Sequence, residues 1–155
     1  MEDLTGARFA RLLLGAFDAM AAEVRAELTR AGHPGLTVAN ELAMQAIDAG
    51  ADSASDLGRA IGVSRQAAAK TIASLEALGY VARAADAADG RRKQLAVTDL
   101  GREAVAVGAA AFDAIYERWK ATQGAERVAT VVKALDALAL DALALDALAL
   151  DALAR

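Results

Sequence analysis

Cysteine is absent from the 155-residue chain, which excludes disulfide scaffolds, zinc ribbons, thiol catalysis and cysteine-based redox sensing. Proline occurs once, at Pro34, and aromatic residues make up only 4%. An alanine- and leucine-rich chain with almost no proline favours helix, so a large all-β domain is excluded. His33 is the single histidine. One histidine makes no metal site, and its place in the breaker cluster Gly32-His33-Pro34-Gly35 reads as structural. No uncharged apolar run approaches the roughly 20 residues needed to span a bilayer. Met1-Glu2-Asp3-Leu4 lacks the basic-then-apolar layout of a signal peptide. The expectation is a soluble, cytoplasmic protein without a membrane segment, a metal or a cofactor.

A chain of this length is one domain, or one domain with an extension, and can bury a core without disulfides or metal. The net charge of −4 is unevenly spread. Between Ser53 and Arg102 eight Lys/Arg face five Asp/Glu, a net of +3, which leaves −7 for the rest. A basic module in an acidic chain points to one surface meant for a polyanion.

From about Leu4 to Thr29 the pattern is helical, with Phe9, Leu12, Leu13, Ala16, Phe17, Met20, Val24 and Leu28 at spacings of three and four. The breaker cluster ends this helix. Thr37 can cap a second helix carrying Val38, Leu42, Ala46 and Ile47. Ser53 with Asp56 three residues on is a variant of the capping box, opening a short helix with Leu57 and Ile61 inward that stops at Gly62. Ser64 is a further N-cap, and Ala68, Ile72 and Leu75 share one face of the helix it opens. Two helices around a short glycine-containing turn have the helix-turn-helix layout.

Tyr80-Val81-Ala82-Arg83 and Gln94-Leu95-Ala96-Val97-Thr98 both read as short strands. Between them Asp86, Asp89, Gly90, Arg91, Arg92 and Lys93 form a turn-rich, cationic tip. A hairpin after a helix-turn-helix is a wing. Thr98 then caps a helix whose face carries Ala104, Gly108, Ala111, Phe112, Ile115 and Trp119. Gln123-Gly124 interrupts, and a last helix opens with Val128, Val131, Val132 and Leu135. Its tail repeats Leu-Asp-Ala-Leu-Ala four times, at 135–139, 140–144, 145–149 and 150–154. Such a period advances about 140° net per repeat on an ideal helix, so no apolar stripe forms and the heptad spacing of a coiled coil is missing.

The stretch Ser53 to Gly101 resembles the winged-helix core of MarR-type transcriptional regulators. The resemblance rests on Asp56-Leu57, Ile61-Gly62-Val63-Ser64, Leu75-Glu76-Ala77-Leu78-Gly79, Val81-Ala82-Arg83, Asp86, Asp89-Gly90-Arg91 and Leu95-Ala96-Val97-Thr98-Asp99-Leu100-Gly101. It covers about a third of the chain, and the flanking helices agree in order up to about residue 140. Two departures stand out: alanine at position 87, where the family commonly has proline, and the pentad tail, read as a tandem expansion.

The resemblance implies a mainly α (α+β) fold, with a winged helix-turn-helix core, a two-stranded β-wing and dimerisation helices at both ends. Residues 1–36 would hold a dimerisation helix and its connecting loop, and 37–101 the DNA-binding core, with a recognition helix at about 64–78 and a wing at about 80–98. Residues 102–155 would hold the remaining dimerisation helices. The implied partners are double-stranded DNA, a second copy of the chain, and a small aromatic or phenolic effector. A two-fold dimer reads a pseudo-palindrome.

On the recognition helix, Gln66, Ala69, Lys70 and Ala73 are left outward, with Ser64 and Arg65 at its start. Gln66 can bond adenine bidentately, Arg65 or Lys70 can reach guanine or phosphate, and Ala69 can touch a thymine methyl. By the resemblance, Asp89 positions Arg91 in the minor groove. Arg92 and Lys93 would meet phosphates, which set affinity rather than sequence. Candidate effector liners are Phe9, Phe17, Met20, Met44, Tyr116 and Trp119, each equally readable as core or interface. An enzyme has little support: no phosphate-cradling glycine loop and no supported carboxylate pair is present. A winged-helix protein-interaction module without ligand response is the competing reading, because fold alone does not settle function.

Overall fold

The computed structural model describes residues 5–85 and 93–153; the side chains of 84, 85, 93 and 140–153 are outside the description. The elements run α1 (Gly6–Arg30), α2 (Val38–Asp48), α3 (Ala54–Ile61), α4 (Arg65–Ala77), β1 (Val81–Ala85), β2 (Lys93–Val97), α5 (Asp99–Gln123) and α6 (Ala125–Leu153). The fold is thus mainly helical, with one two-stranded antiparallel sheet.

Most boundaries follow from local chemistry. Thr37, Ser53 and Ser64 cap α2, α3 and α4, each hydroxyl oxygen accepting from the backbone N–H three residues on. Thr98 does the same for α5, accepting from Gly101 N at 3.1 Å. At α2 the box is reciprocal, since the Asn40 side chain accepts from Thr37 N. At α3 only half the box forms: the Asp56 carboxylate takes the Ser53 hydroxyl and Arg59. Those hydrogen bonds, that of Ser53 first, hold the Asp56 carboxyl below its ordinary range. Gly62 ends α3 at φ 71°, a left-handed position that glycine occupies without a Cβ penalty.

The chain divides into two units, residues 1–113 and 114–155. The core of the first unit is built from Val24 and Leu28 of α1, Met44 and Ile47 of α2, Leu57 of α3, Ala68, Ile72 and Leu75 of α4, and Val81, Leu95 and Val97 of the sheet. In the second unit Val128 is fully buried, whereas Val131, Val132, Leu135 and Leu138 are exposed.

On three helices the apolar pattern is only partly buried within the single chain. On α2, Leu42 is exposed and Ala46 only half-buried, while Glu41, Ala43 and Met44 are buried. Val38 and Ile47 are buried as expected, and the inward face also takes in a carboxylate. On α1 only Val24 and Leu28 of the eight-residue stripe are buried; Phe9, Leu12 and Phe17 are exposed. On α5, Ala104, Gly108 and Ala111 are buried as expected, Phe112 and Ile115 are half-buried, and Trp119 is exposed.

Candidate nucleic-acid interface

The reading head starts at the turn between α3 and α4. Val63 N donates to Gly58 O at 2.9 Å, and a Cβ on Gly58 would lie 2.8 Å from Val63 O. Only glycine lets the turn close this tightly over α3. α4 then buries Ala68, Ile72 and Leu75 and exposes Ser64, Arg65, Gln66, Ala69, Lys70 and Ala73. The helix expected at about 64–78 spans Arg65–Ala77.

The far end of α4 is tied to the wing. Gly79, at φ 81°, lets the chain reverse, with Tyr80 N donating to Leu75 O at 2.9 Å and Gly79 N to Glu76 O at 3.1 Å. The Thr98 hydroxyl, at the exit of β2, donates to Gly79 O at 2.7 Å, and Thr98 N donates to Tyr80 O at 3.0 Å. Arg102 reaches back from α5 to Val97 O at 2.7 Å. A Cβ on Gly101 would collide with the Tyr80 carbonyl and lie 2.6 Å from Val97 Cγ1, so the start of α5 presses directly on the wing's base.

In the sheet, Val81 pairs with Val97 and Arg83 with Leu95. Opposed residues share a face, so Arg83 stands on the same face as the buried Val81, Leu95 and Val97. It turns to Glu76 of α4, with Nε 3.0 Å from Oε1.

These contacts sort the cations of the basic stretch. Arg59, Arg83 and Arg102 are paired with Asp56, Glu76 and Asp99. Among the described residues Arg65 and Lys70 have no acidic partner, and the first turn of α4 carries no acid. Uncompensated positive charge therefore gathers where the α4 N-terminus adds its own positive dipole end. Asp89, Arg91 and Arg92 lie outside the described residues, as does the side chain of Lys93.

Beneath the wing, the Tyr80 hydroxyl is 3.3 Å from Nδ1 of His33, and both side chains are buried. Burial, and then the charge of Glu103, raises the Tyr80 phenol above its ordinary range. His33 thus joins the α1–α2 loop to the base of β1. Sequence patterning had no means of seeing that pair, 47 residues apart, nor the Glu76–Arg83 bridge.

Within the first unit Phe17 and Met44 line different grooves. Phe17 lines a groove of about 280 Å³ with Asp18, Arg25, Thr37, Val38 and Leu42. Met44 lines a second one, also about 280 Å³, with Gln45, Asp48, Val97, Arg102 and Val105. Phe9 is exposed and Met20 half-buried. Tyr116 and Trp119 are exposed in the other unit, where Lys120 Nζ stands 5.2 Å above the Tyr116 ring. Among the described residues no cluster of metal-ligating side chains is present, and no helix is long and apolar enough to cross a membrane.

Residues 35–92 match the model of the MarR family. No curated protein matches the chain. Among solved structures, a MarR family protein of Mycobacterium tuberculosis in complex with salicylic acid is 25% identical, with 88% of this chain and 98% of that one covered and a TM-score of 0.62. FabT of Streptococcus pneumoniae in complex with DNA is 19% identical, with 91% and 99% covered and a TM-score of 0.73. CouR of Rhodococcus jostii bound to p-coumaroyl-CoA is 21% identical, with 90% and 96% covered and a TM-score of 0.65. Over residues 35–92 the chain is similar to the MarR family, and as a whole it shares its fold with solved transcription regulators of that family.

Proposed function

We propose that the protein is a homodimeric, sequence-specific DNA-binding regulator of the cytoplasm, a repressor of a pseudo-palindromic operator that a small aromatic ligand releases. The observation that carries this reading is the outer face of α4. Ser64, Arg65, Gln66, Ala69 and Lys70 are all exposed on it while Ala68, Ile72 and Leu75 anchor its back. The end of this helix is bonded to a wing whose tip sequence holds Asp89, Arg91, Arg92 and Lys93. Gln66 and Arg65 supply base-edge donors, Lys70 a phosphate contact, and Ala69 a surface small enough for a thymine methyl.

The dimer is supported by α1, whose Phe9, Leu12, Leu14 and Phe17 are exposed on the single chain. Large apolar side chains left exposed along one helix support an interaction surface there, and a two-fold axis would set two reading heads about 34–36 Å apart. The ligand reading draws on the groove beside Phe17, where an aromatic wall and the Arg25 guanidinium fit an aromatic carboxylate. Tyr116 and Trp119 are further apolar surface for the same class of ligand. The DNA-bound and salicylate-bound relatives support both parts of the reading.

A gel-shift titration on the DNA flanking the protein's own gene, at two salt concentrations and with non-specific competitor, tests this. The expected result is a discrete, competitor-resistant shift whose affinity falls steeply with salt. A shift abolished by competitor would leave a winged helix that meets a protein instead.

A further inference from the structure

Glu41 is the one fully buried carboxylate among the described residues. Neither of its oxygens has a hydrogen-bond partner. It projects from α2 onto Gly108 of α5, where the carboxylate fills the space a Cβ would need. A larger residue at 108 would exclude it, so the two positions form a fitted seat. A neutral acid can occupy such a site; an anion there has lost water and gained nothing in exchange. Burial accordingly holds the Glu41 carboxyl above its ordinary range. Burial is the cause of that rise; the packed elements carry Arg25 and Glu27 on α1, Arg59 on α3, Lys70 on α4, and Arg102 and Glu103 on α5, and α2 itself carries Asp48.

The seat lies on a mechanical seam. α2 packs against α3, α4 and β2, and so carries the reading head. α5 starts at the clasp on the wing's base formed by Thr98, Gly101 and Arg102. An ionised Glu41 must draw in water or leave its seat, and either parts α2 from α5 at Gly108. We propose that Glu41 couples DNA binding to pH: its acid form closes the α2–α5 seam in the DNA-competent arrangement, and its ionised form opens it. This rests on the DNA-binding reading above.

The test uses the full-length protein, with two readouts followed upward from the ordinary carboxyl value of 4.5, above which the Glu41 carboxyl is held. One is affinity for a DNA that the protein shifts; the other is amide exchange in α2 and α5, normalised for intrinsic rate, which needs no DNA. The wild type is expected to lose affinity as pH rises, by at most about tenfold per pH unit for each coupled carboxylate, with faster seam exchange alongside. Glu41→Gln is expected to hold both readouts flat. Gly108→Ala is expected to open the seam at every pH, and Glu41→Ala combined with it to restore closure. A wild type flat in both readouts, or a Glu41→Gln variant that follows the wild-type slope, overturns the proposal. Absence of DNA binding at every pH would strike the regulator reading, whereas seam exchange still reports the coupling of Glu41 to the fold.

Discussion

Arg83 on the first wing strand reaches back to Glu76 of the recognition helix, Nε to Oε1 at 3.0 Å. Both side chains are part-exposed, so water screens the pair and its contribution to folding is at most about 1 kcal/mol. Its effect on DNA binding is expected to be larger, since it joins the wing to the helix proposed to read DNA. Arg83→Ala should leave the unfolding midpoint almost unchanged and weaken specific DNA binding several-fold. Urea titration beside a binding isotherm checks both halves; equal affinities would make the bridge an incidental surface contact.

Arg91 supplies the wing's groove contact in the proposed complex. Replacing it with alanine should weaken specific binding by about tenfold or more, consistent with lost contacts of roughly 1–3 kcal/mol. Circular dichroism should show an intact fold. An undiminished affinity would take the wing out of the recognition model.

Gly101 faces the Tyr80 carbonyl with no room for a methyl group. Gly101→Ala is an overpacking change at a site walled by backbone, expected to cost about 1–3 kcal/mol despite alanine's better helix propensity. Thermal unfolding measures this directly. A stabilised variant would mean that the start of α5 can slide off the wing's base.

Glu41 also sets a pH dependence of stability. Its folded carboxyl titrates above the ordinary value of 4.5, so above that value the unfolded chain releases its proton first. The stability tied to the acid form is complete below about pH 4.5 and is lost as pH rises from there through the raised folded value. Glu41→Gln should flatten that limb of the stability profile. The difference between the two profiles isolates this carboxylate from the others, and parallel curves would contradict the assignment.

The pentad repeats are not required by the winged core. Truncation after Leu140 should leave a folded, dimeric, DNA-competent protein, checked by light scattering and gel shift. A monomeric or aggregated product would make the repeat part of the dimer.

What could be read from the amino-acid order was what short-range chemistry decides. The caps Thr37, Ser53, Ser64 and Thr98, the left-handed Gly62, and the alternation around Val81 and Val97 each act within a few residues, and each holds in the fold. The outward face of α4 was equally legible, because Ala68, Ile72 and Leu75 leave only one side free. The burial of Glu41 was not. A carboxylate inside a helix reads as a solvent marker, and its seat at Gly108 lies 67 positions away. The His33–Tyr80 pair escaped for the same reason, since contacts across the chain leave no period. On α1, the stripe is longer than the winged core can cover, and Phe9, Leu12 and Phe17 are exposed on the single chain.

The clasp at Thr98 has a bearing on how operators can vary. Because the Thr98 hydroxyl and the Arg83–Glu76 pair join the base of the wing to the end of α4, the two elements proposed to meet DNA are tethered to each other at that base. Mutational drift in an operator should therefore be tolerated unequally. Bases inserted between the two half-sites can be met by a shift between subunits. A base inserted within one half-site, separating the proposed contacts of α4 from those of the wing, is expected to be tolerated less, since α4 and the base of the wing are joined within one subunit.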